Sequence, residues 1–207
     1  MGNEFVKFYP EEVSQFASLK ANTPENFRQL HDLFSDTQSN VILETTEEAI
    51  NPAPWKLNRT SPFLQMVFEG DLSYDYISQF PIRQLGSKDV YQIQELVSLT
   101  HPGPFAQNTI VLGHYEGIFD EDHLVAMAGQ RMHTTPYAEI SAVCTHPDYL
   151  GRGYARQLIS SQIHRIKKAG ETPFLHVSVA NIRALSIYKN MGFVIRRQMY
   201  IHFLDYN

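Results

Sequence analysis

The sequence predicts a mixed α/β fold, in which helices alternate with strands and three successive strands form a meander in the middle of the chain. Its composition is that of a globular protein, with 207 residues, 43% of them hydrophobic and 19% charged. Apolar residues recur at helical spacing after Gly153, and short apolar runs bounded by turn residues lie between positions 115 and 145. A monomer of this length hides roughly 70% of its unfolded surface, which is enough for a core without disulfides.

The first third of the chain is predicted to contain one helix and two strands. Thr23-Pro24-Glu25 has the form of a helix start, with a capping residue, a proline and an acidic first turn. The apolar residues that follow at helical spacing are Phe27, Leu30, Leu33 and Phe34. Residues 41–43 and 63–68 are strand candidates, and the two prolines of Asn51–Pro54 form a loop between them.

The pattern becomes more regular after residue 76. Strands are predicted over residues 76–85, 115–119, 124–132, 138–145, 174–179 and, with an interruption, 193–204. Helices are predicted from Ser87 to a break at residues 101–104, from Gly153 to Gly170 and from Asn181 to Gly192. Because residues 70–75 are polar, we predict an N-terminal extension or degenerate half-domain over 1–75 and the main domain over 76–207.

Charge and cysteine content narrow the class of function. The net charge of −5 argues against a nucleic-acid partner bound through its phosphates. The N-terminus Met1–Val6 lacks the segments of a signal peptide, and no apolar run approaches the roughly 18 residues of a membrane span. The single cysteine, Cys144, forms no zinc cluster, and the nine histidines show no metal-ligand spacing. We therefore expect a cytoplasmic protein without membrane contact or metal.

The segment Tyr149–Ala155 carries the clearest chemistry. It reads Tyr-Leu-Gly-Arg-Gly-Tyr-Ala and lies between a predicted strand and a predicted amphipathic helix. Glycines let a backbone approach a ligand closely, and the free N–H groups of a first helical turn attract anions. Arg152 and Arg156 add positive charge, so a diphosphate is the natural ligand. A dinucleotide-binding fingerprint would need a third glycine at Arg156, a P-loop would need Gly-Lys-Ser/Thr, and a plain tight turn is the remaining alternative.

Two signatures in this part of the chain resemble the GCN5-related N-acetyltransferase (GNAT) superfamily. Its pyrophosphate loop, [QR]-x-x-G-x-[GA], corresponds to residues 150–155, with Leu150 in place of glutamine or arginine. Its second signature, a helix that starts with asparagine and carries a tyrosine before Gly-Phe, corresponds to Asn181–Phe193. The segments Val143–Pro147 and Pro173–Val177 resemble the FR47-like branch. The resemblance covers about residues 76–203 and implies a mixed, mostly antiparallel sheet flanked by helices.

The resemblance also assigns a binding site for acetyl-coenzyme A. The residues that it assigns to the coenzyme are Val143, Cys144, Thr145, Leu150, Gly151, Arg152, Gly153, Tyr154, Ala155, Arg156 and Asn181. The end of the strand at Val143–Thr145 would hold the pantetheine arm, and a backbone N–H of Val143 or Cys144 would stabilise the thioester oxyanion. Asn181 is equally well explained as a helix cap.

The same resemblance names candidate catalytic residues. Tyr188 would protonate the departing thiolate of coenzyme A, and the alternative for it is a packed helix tyrosine. Glu139 would take the proton of the amine directly or through water, and the alternative for it is a solvent-facing charge. His146 is a rival base, although His-Pro at a strand end also forms a turn. His101 and Phe105 lie where the family places an acceptor-binding loop.

These assignments predict an N-acetyltransferase that moves an acetyl group from acetyl-coenzyme A to a primary amine by direct attack. The amine would belong to a small molecule, a lysine or a peptide N-terminus, and family analogy suggests a homodimer. A non-catalytic sensor or interaction module that binds acyl-coenzyme A is the alternative from another class. Thiol release with added amines separates the two hypotheses.

Overall fold

The computed structural model describes residues 1–34, 40–71 and 79–207, and within them ten strands form one sheet that four helices flank. The strands are β1 (Val6–Phe8), β2 (Phe16–Leu19), β3 (Asn40–Thr45), β4 (Lys56–Phe68), β5 (Arg83–Gln84), β6 (Glu116–Asp120), β7 (His123–Thr134), β8 (Tyr137–Thr145), β9 (Thr172–Ser178) and β10 (Phe193–Asp205). The helices are α1 (Pro24–Leu33), α2 (Val90–Thr100), α3 (Tyr154–Lys168) and α4 (Ile182–Asn190).

The sheet is mixed and mostly antiparallel, as predicted. Its order is β1-β2-β3-β10-β4-β9-β8-β7-β6-β5. Only the β2–β3 and β8–β9 pairs of the described strands are parallel. Strands β6, β7 and β8 form the expected meander.

The parallel pair β8–β9 opens towards its carboxyl end. The two strands pair only from Tyr137 to Glu139 on β8, opposite residues 172–174 on β9. Beyond this point β8 carries an extra residue, because Met127 and Gly129 of β7 pair with Cys144 and Ser141. Ala142 lies in this bulge with a φ of 53°. A bulge leaves a residue outside the ladder, so the backbone of β8 is available to a ligand here.

Helices α3 and α4 cover one side of this opening because their apolar faces match the sheet. The buried cluster between them and the strands contains Ile140, Ile159, Ile163, Ile166, Leu175, Tyr188 and Phe193. Helix α1 covers a second cluster near the N-terminus, which includes Trp55 and Leu43. Thr23 caps α1 as predicted, since its hydroxyl accepts a hydrogen bond from the N–H of Asn26.

The sheet curls so that its N-terminal strands face β7. In strand order β3 and β7 are five positions apart, yet the Arg131 guanidinium of β7 bonds to Glu44 of β3. The same guanidinium stacks on Phe16 of β2, 4.1 Å from the ring centre. The N–H of Asn108, between α2 and β6, donates to the carbonyl of Glu12, between β1 and β2, which is a second contact between the two ends of the sheet. A cavity lies between the two ends of the sheet.

The structure also corrects parts of the sequence prediction. Of the strand predicted over 76–85, residues 76–78 lie outside the described residues, and from 79 onward only Arg83–Gln84 is strand. Strand β10 is continuous where an interruption was predicted, and it accommodates the irregularity as register shifts at residues 195–197 and 203–204. The predicted boundary at residue 75 lies outside the described residues. No helix of the described part is long and apolar enough to cross a membrane.

Candidate active site

The predicted anion-binding loop lies at the N-terminus of α3. After a 3-10 turn over Pro147–Tyr149, Gly151 and Gly153 adopt φ angles of 81° and 86°, in the left-handed region that glycine tolerates. The first helical bond runs from the N–H of Gln157 to the carbonyl of Gly153. The preceding N–H groups of the helix therefore lack intrahelical acceptors. A Cβ added to either glycine would meet nothing within 4 Å, so the space beside the loop is open to a ligand.

A cavity of about 440 Å³ extends from this loop to the opening of β8. Every residue predicted to bind the coenzyme lines it except Arg152, whose guanidinium stacks on Tyr149, 4.6 Å from the ring centre. The hydroxyl of Thr145 is buried against this cavity and bonds to no described residue. A buried hydroxyl is costly without a partner. The site therefore has both an anion cradle and a polar atom that a bound amide could satisfy.

Asn181, which precedes α4, and Tyr188, which lies on α4, both line the same cavity. The Asn181 side chain accepts a hydrogen bond from the N–H of Ala184 at 3.1 Å, so it caps the helix while it lines the cavity. Burial raises the pKa of Tyr188 to about 12. Its phenol is therefore protonated at neutral pH. Its hydroxyl forms no hydrogen bond with any residue that the structure describes.

A second cavity of about 460 Å³ adjoins the first. The two share the residues Val143, Cys144, Thr145, Asn181 and Tyr188. The second cavity continues under the curled sheet to a buried group of charged side chains, which we call the ion network: Glu44, Arg131, Glu139 and His176. The predicted acceptor residue His101 lines this cavity at the end of α2.

Glu139 is the most tightly held member of the ion network. Arg131 donates from Nε to Oε2 at 2.8 Å and from Nη2 to Oε1 at 2.7 Å, while His176 Nδ1 lies 2.9 Å from Oε1. Burial raises the pKa of this carboxyl group, but the Arg131 charge and the hydrogen bonds from His176 and Arg131 lower it to about 2. The sequence alternative of a solvent-facing charge is wrong, since Glu139 is 1% exposed.

Two other predicted residues, His146 and Phe105, line neither of these cavities, whereas Cys144 lines both. His146 Nδ1 accepts the N–H of Asp148 at 3.2 Å, so this ring stabilises the turn before the loop. Phe105 packs edge-on against Tyr115, with 5.4 Å between the ring centres, in the apolar cluster under α2. Burial raises the pKa of the Cys144 thiol to about 11, which leaves little thiolate at neutral pH.

Sequence reasoning missed Glu44, Arg131 and His176. Each lies on a strand and belongs to no local motif, and the curl of the sheet brings them together from β3, β7 and β9. The one available signal was a charged residue within a predicted apolar strand. A buried charge needs a partner of opposite charge, so such a residue indicates an ion pair with another part of the chain.

The chain matches one family profile and several solved structures. The profile of the FR47-like protein family matches residues 115–201. No curated protein matches the chain. A Novosphingobium aromaticivorans protein described as an acetyltransferase of the GNAT family is 31% identical, with a TM-score of 0.88 over 98% of this chain and 89% of that one.

Two more distant structures share the fold. A Drosophila melanogaster protein is 18% identical, with a TM-score of 0.71 over 98% of this chain and 74% of that one. The Escherichia coli ribosomal-protein-S18-alanine N-acetyltransferase is 20% identical, with a TM-score of 0.50 over 61% of this chain and 94% of that one. From the N. aromaticivorans relative, the chain belongs to the GNAT superfamily of acetyltransferases, and its residues 115–201 are similar to the FR47-like family within it.

Proposed function

We propose that this protein is an N-acetyltransferase that uses acetyl-coenzyme A to acetylate a primary amine. The observation that carries the proposal is the meeting of two cavities at the bulge of β8, one beside an anion-binding loop and one beside buried charges. An acyl donor and an amine that entered from the two sides would meet beside Tyr188. Holding two reactants together in this way supplies much of the rate enhancement of such a transfer.

The first cavity fits the coenzyme. The N–H groups that begin α3, together with Arg156, would bind the diphosphate, and the backbone of Val143–Thr145 would bind the pantetheine amides. The Thr145 hydroxyl would gain a partner there. Bound in this way, acetyl-coenzyme A supplies an acyl group activated as a thioester.

The residues at the junction have separable roles. A backbone N–H of Val143 or Cys144, where β8 no longer pairs with β9, would stabilise negative charge on the thioester oxygen. Tyr188 would donate its phenolic proton to the departing sulfur, and its pKa of about 12 keeps that proton available. Glu139, the base suggested by the resemblance, would hold Arg131 in place, since both of its oxygens are engaged.

The acceptor is proposed to be a cationic amine, because acidic side chains lie inside the second cavity. The related E. coli enzyme acts on the alanine of a ribosomal protein, so an alanine-initiated peptide belongs in the acceptor screen beside spermidine and lysine esters. A cytoplasmic location and a homodimer remain proposals by family analogy.

Two measurements test the function. Acetyl-coenzyme A should raise the melting temperature of the protein, and thiol release should follow when an accepted amine is added. Stabilisation without thiol release under any amine would favour the sensor alternative. No stabilisation at millimolar acetyl-coenzyme A would contradict both.

The Tyr188→Phe variant tests the proposed acid. It keeps the ring that packs on Phe193 at 5.9 Å between centres, so folding and acetyl-coenzyme A affinity should persist while kcat falls by about a hundredfold. The control is Tyr91→Phe, because Tyr91 lies on the surface with 72% of its area exposed. Equal turnover in the wild type and Tyr188→Phe would exclude the role.

A further inference from the structure

Glu44 differs from the rest of the ion network in having a carboxylate oxygen to spare. Its Oε1 accepts from Arg131 Nη2 at 3.2 Å. Its Oε2 lies 3.7 Å from His176 Nδ1, beyond hydrogen-bond distance, and it bonds to no other described residue. Among the described residues, Thr145 Oγ1 is the only side-chain nitrogen or oxygen that is fully buried and has no hydrogen-bond partner. Because Glu44 Oε2 also lacks a partner but is not such an atom, it is not fully buried. It is therefore accessible from the second cavity, which Glu44 lines.

The two neighbours that could compete as proton acceptors are fully engaged. Both oxygens of Glu139 accept hydrogen bonds from Arg131 or His176. Both ring nitrogens of His176 are also used, since Nδ1 faces Glu139 and Nε2 lies 3.0 Å from the Gln65 amide nitrogen. An amide nitrogen can only donate, so Nε2 is the acceptor of that bond and has no lone pair for a ligand.

The ion network holds one permanent cation for two carboxylates. Glu44 and Glu139 both face the Arg131 guanidinium, and His176 adds a second positive charge only when its ring is protonated. Burial lowers the pKa of His176, yet the hydrogen bond to Glu139 and the charges of both carboxylates raise it overall. A buried net negative charge is costly unless a cation pairs with it. An ammonium group beside Glu44 would supply that cation.

No other titratable group that lines this cavity supplies a cation to Glu44 Oε2. They are Arg59, Arg131 and His176 from strands, Glu139 and Cys144 from β8, His101 from the loop after α2 and Tyr188 from α4. Arg59, the lining arginine without a carboxylate partner among the described residues, stacks on Phe203, 4.1 Å from the ring centre. It therefore lies against an aromatic ring of β10, whereas Arg131 already contacts Glu44.

We propose that Glu44, which comes from the N-terminal part of the chain, binds the ammonium group of the acceptor and takes its proton. The inference rests on the proposed N-acetyltransferase function. One proton passes from the ammonium nitrogen to Glu44 Oε2, the nitrogen–carbon bond to the acyl group forms, and the carbon–sulfur bond breaks. The sulfur takes a proton from Tyr188, the second proton lost by the nitrogen restores the phenol, and Glu44 releases its proton to water.

The Glu44→Gln variant tests this inference through pH dependence. Glutamine keeps an oxygen for Arg131 but neither attracts an ammonium group nor accepts its proton. With an amine from the screen that the wild type acetylates, kcat/KM should fall by about a hundredfold at pH 7. The deficit should shrink steadily towards pH 9.5, because an amine with a pKa near ~10 then loses its proton in solution.

Controls separate this inference from the proposed function. Wild-type thiol release shows that the enzyme works, and its absence would overturn the proposed function instead. The Glu48→Gln variant changes an exposed carboxylate beyond the end of β3 that accepts from the Tyr200 hydroxyl, and it should match the wild type at every pH. A Glu44→Gln deficit of the same size at every pH, or no deficit, would overturn the role of Glu44.

A second variant tests the proposal if Glu44→Gln fails to fold. Should Glu44→Gln lose its thermal shift with acetyl-coenzyme A, Glu44→Asp provides the test, because it keeps the charge at a shorter reach. Its kcat/KM should be lower than that of the wild type. The plot of kcat/KM against pH should still fall on the acid side, at a pH above the usual pKa of a glutamate, since burial raises the pKa of the carboxyl group at position 44. A kcat/KM of Glu44→Asp that rises steadily with pH up to the pKa of the amine, with no separate acid-side titration, would contradict the proposal.

Discussion

At the scale of single residues, Arg131 connects the two ends of the curled sheet. Its guanidinium contacts Phe16, Glu44 and Glu139, which belong to three different strands. An arginine suits this place because its planar fork binds a carboxylate through two parallel bonds and also stacks on an aromatic ring. The same contacts shape the floor of the second cavity, so stability and the acceptor site depend on the same side chains.

We expect the Glu139→Gln variant to unfold more easily in a pH-dependent way. The pKa of Glu139 falls from 4.5 to about 2 in the folded protein, so its carboxylate stabilises the fold at pH values above about 4.5, and that contribution is lost as the pH falls towards 2. The shift corresponds to about 3 kcal/mol at pH 7. Urea unfolding at pH 7 and pH 3 should show a large difference from the wild type at pH 7 and a smaller one at pH 3.

The surface variant Glu11→Gln is the control for this prediction, because Glu11 is an exposed turn residue. It should leave the free energy of unfolding unchanged at both pH values. A Glu139→Gln loss that is equal at pH 7 and pH 3 would mean that packing, rather than charge, accounts for the effect of Glu139.

At the scale of elements, the two ends of α3 provide a comparison. Gly153 precedes the helix with a φ of 86°, and Gly170 follows it with a φ of 79°. At both positions an added Cβ would meet nothing within 4 Å. Alanine therefore costs backbone strain of about 1–2 kcal/mol at either end, but only Gly153 lies in the proposed diphosphate site.

We expect Gly153→Ala to weaken acetyl-coenzyme A binding, whereas Gly170→Ala should not. Both variants should lose similar stability in urea, since the strain is alike. Calorimetric titration with acetyl-coenzyme A should give a dissociation constant raised by about tenfold for Gly153→Ala, because the N–H groups that follow a strained residue are reoriented. Equal dissociation constants in the two variants would contradict the proposal that this loop binds the diphosphate.

The elements that the sequence predicted well are those with local signals. Helices α1 and α4 begin with a side-chain cap, α3 has apolar residues at helical spacing, and a family motif marks the loop before α3. Strands β1 and β2 are short and have few alternating positions, so nothing local distinguished them from loop. The ion network was not predictable for a related reason: its partners lie up to 132 residues apart in sequence, as Glu44 and His176 do.

At the scale of the whole molecule, the N-terminal part of the chain is built into the sheet. Strand β4 lies between β10 and β9, and β3 lies on the other side of β10. Residues 56–68 thus pair on both sides with strands from the C-terminal half. Because these ladders are continuous, separating the two sequence regions would expose strand edges and part of the core.

This continuity predicts that the whole chain unfolds in one step. The single tryptophan, Trp55, lies in the apolar cluster under α1 at 4% exposure, so its fluorescence reports on the N-terminal part. Far-ultraviolet circular dichroism reports on all helices and strands. In urea the two signals should share one midpoint, and acetyl-coenzyme A should raise both by the same amount, although its proposed site lies away from Trp55. A fluorescence midpoint at lower urea that the ligand leaves unchanged would instead establish residues 1–75 as a separately unfolding unit.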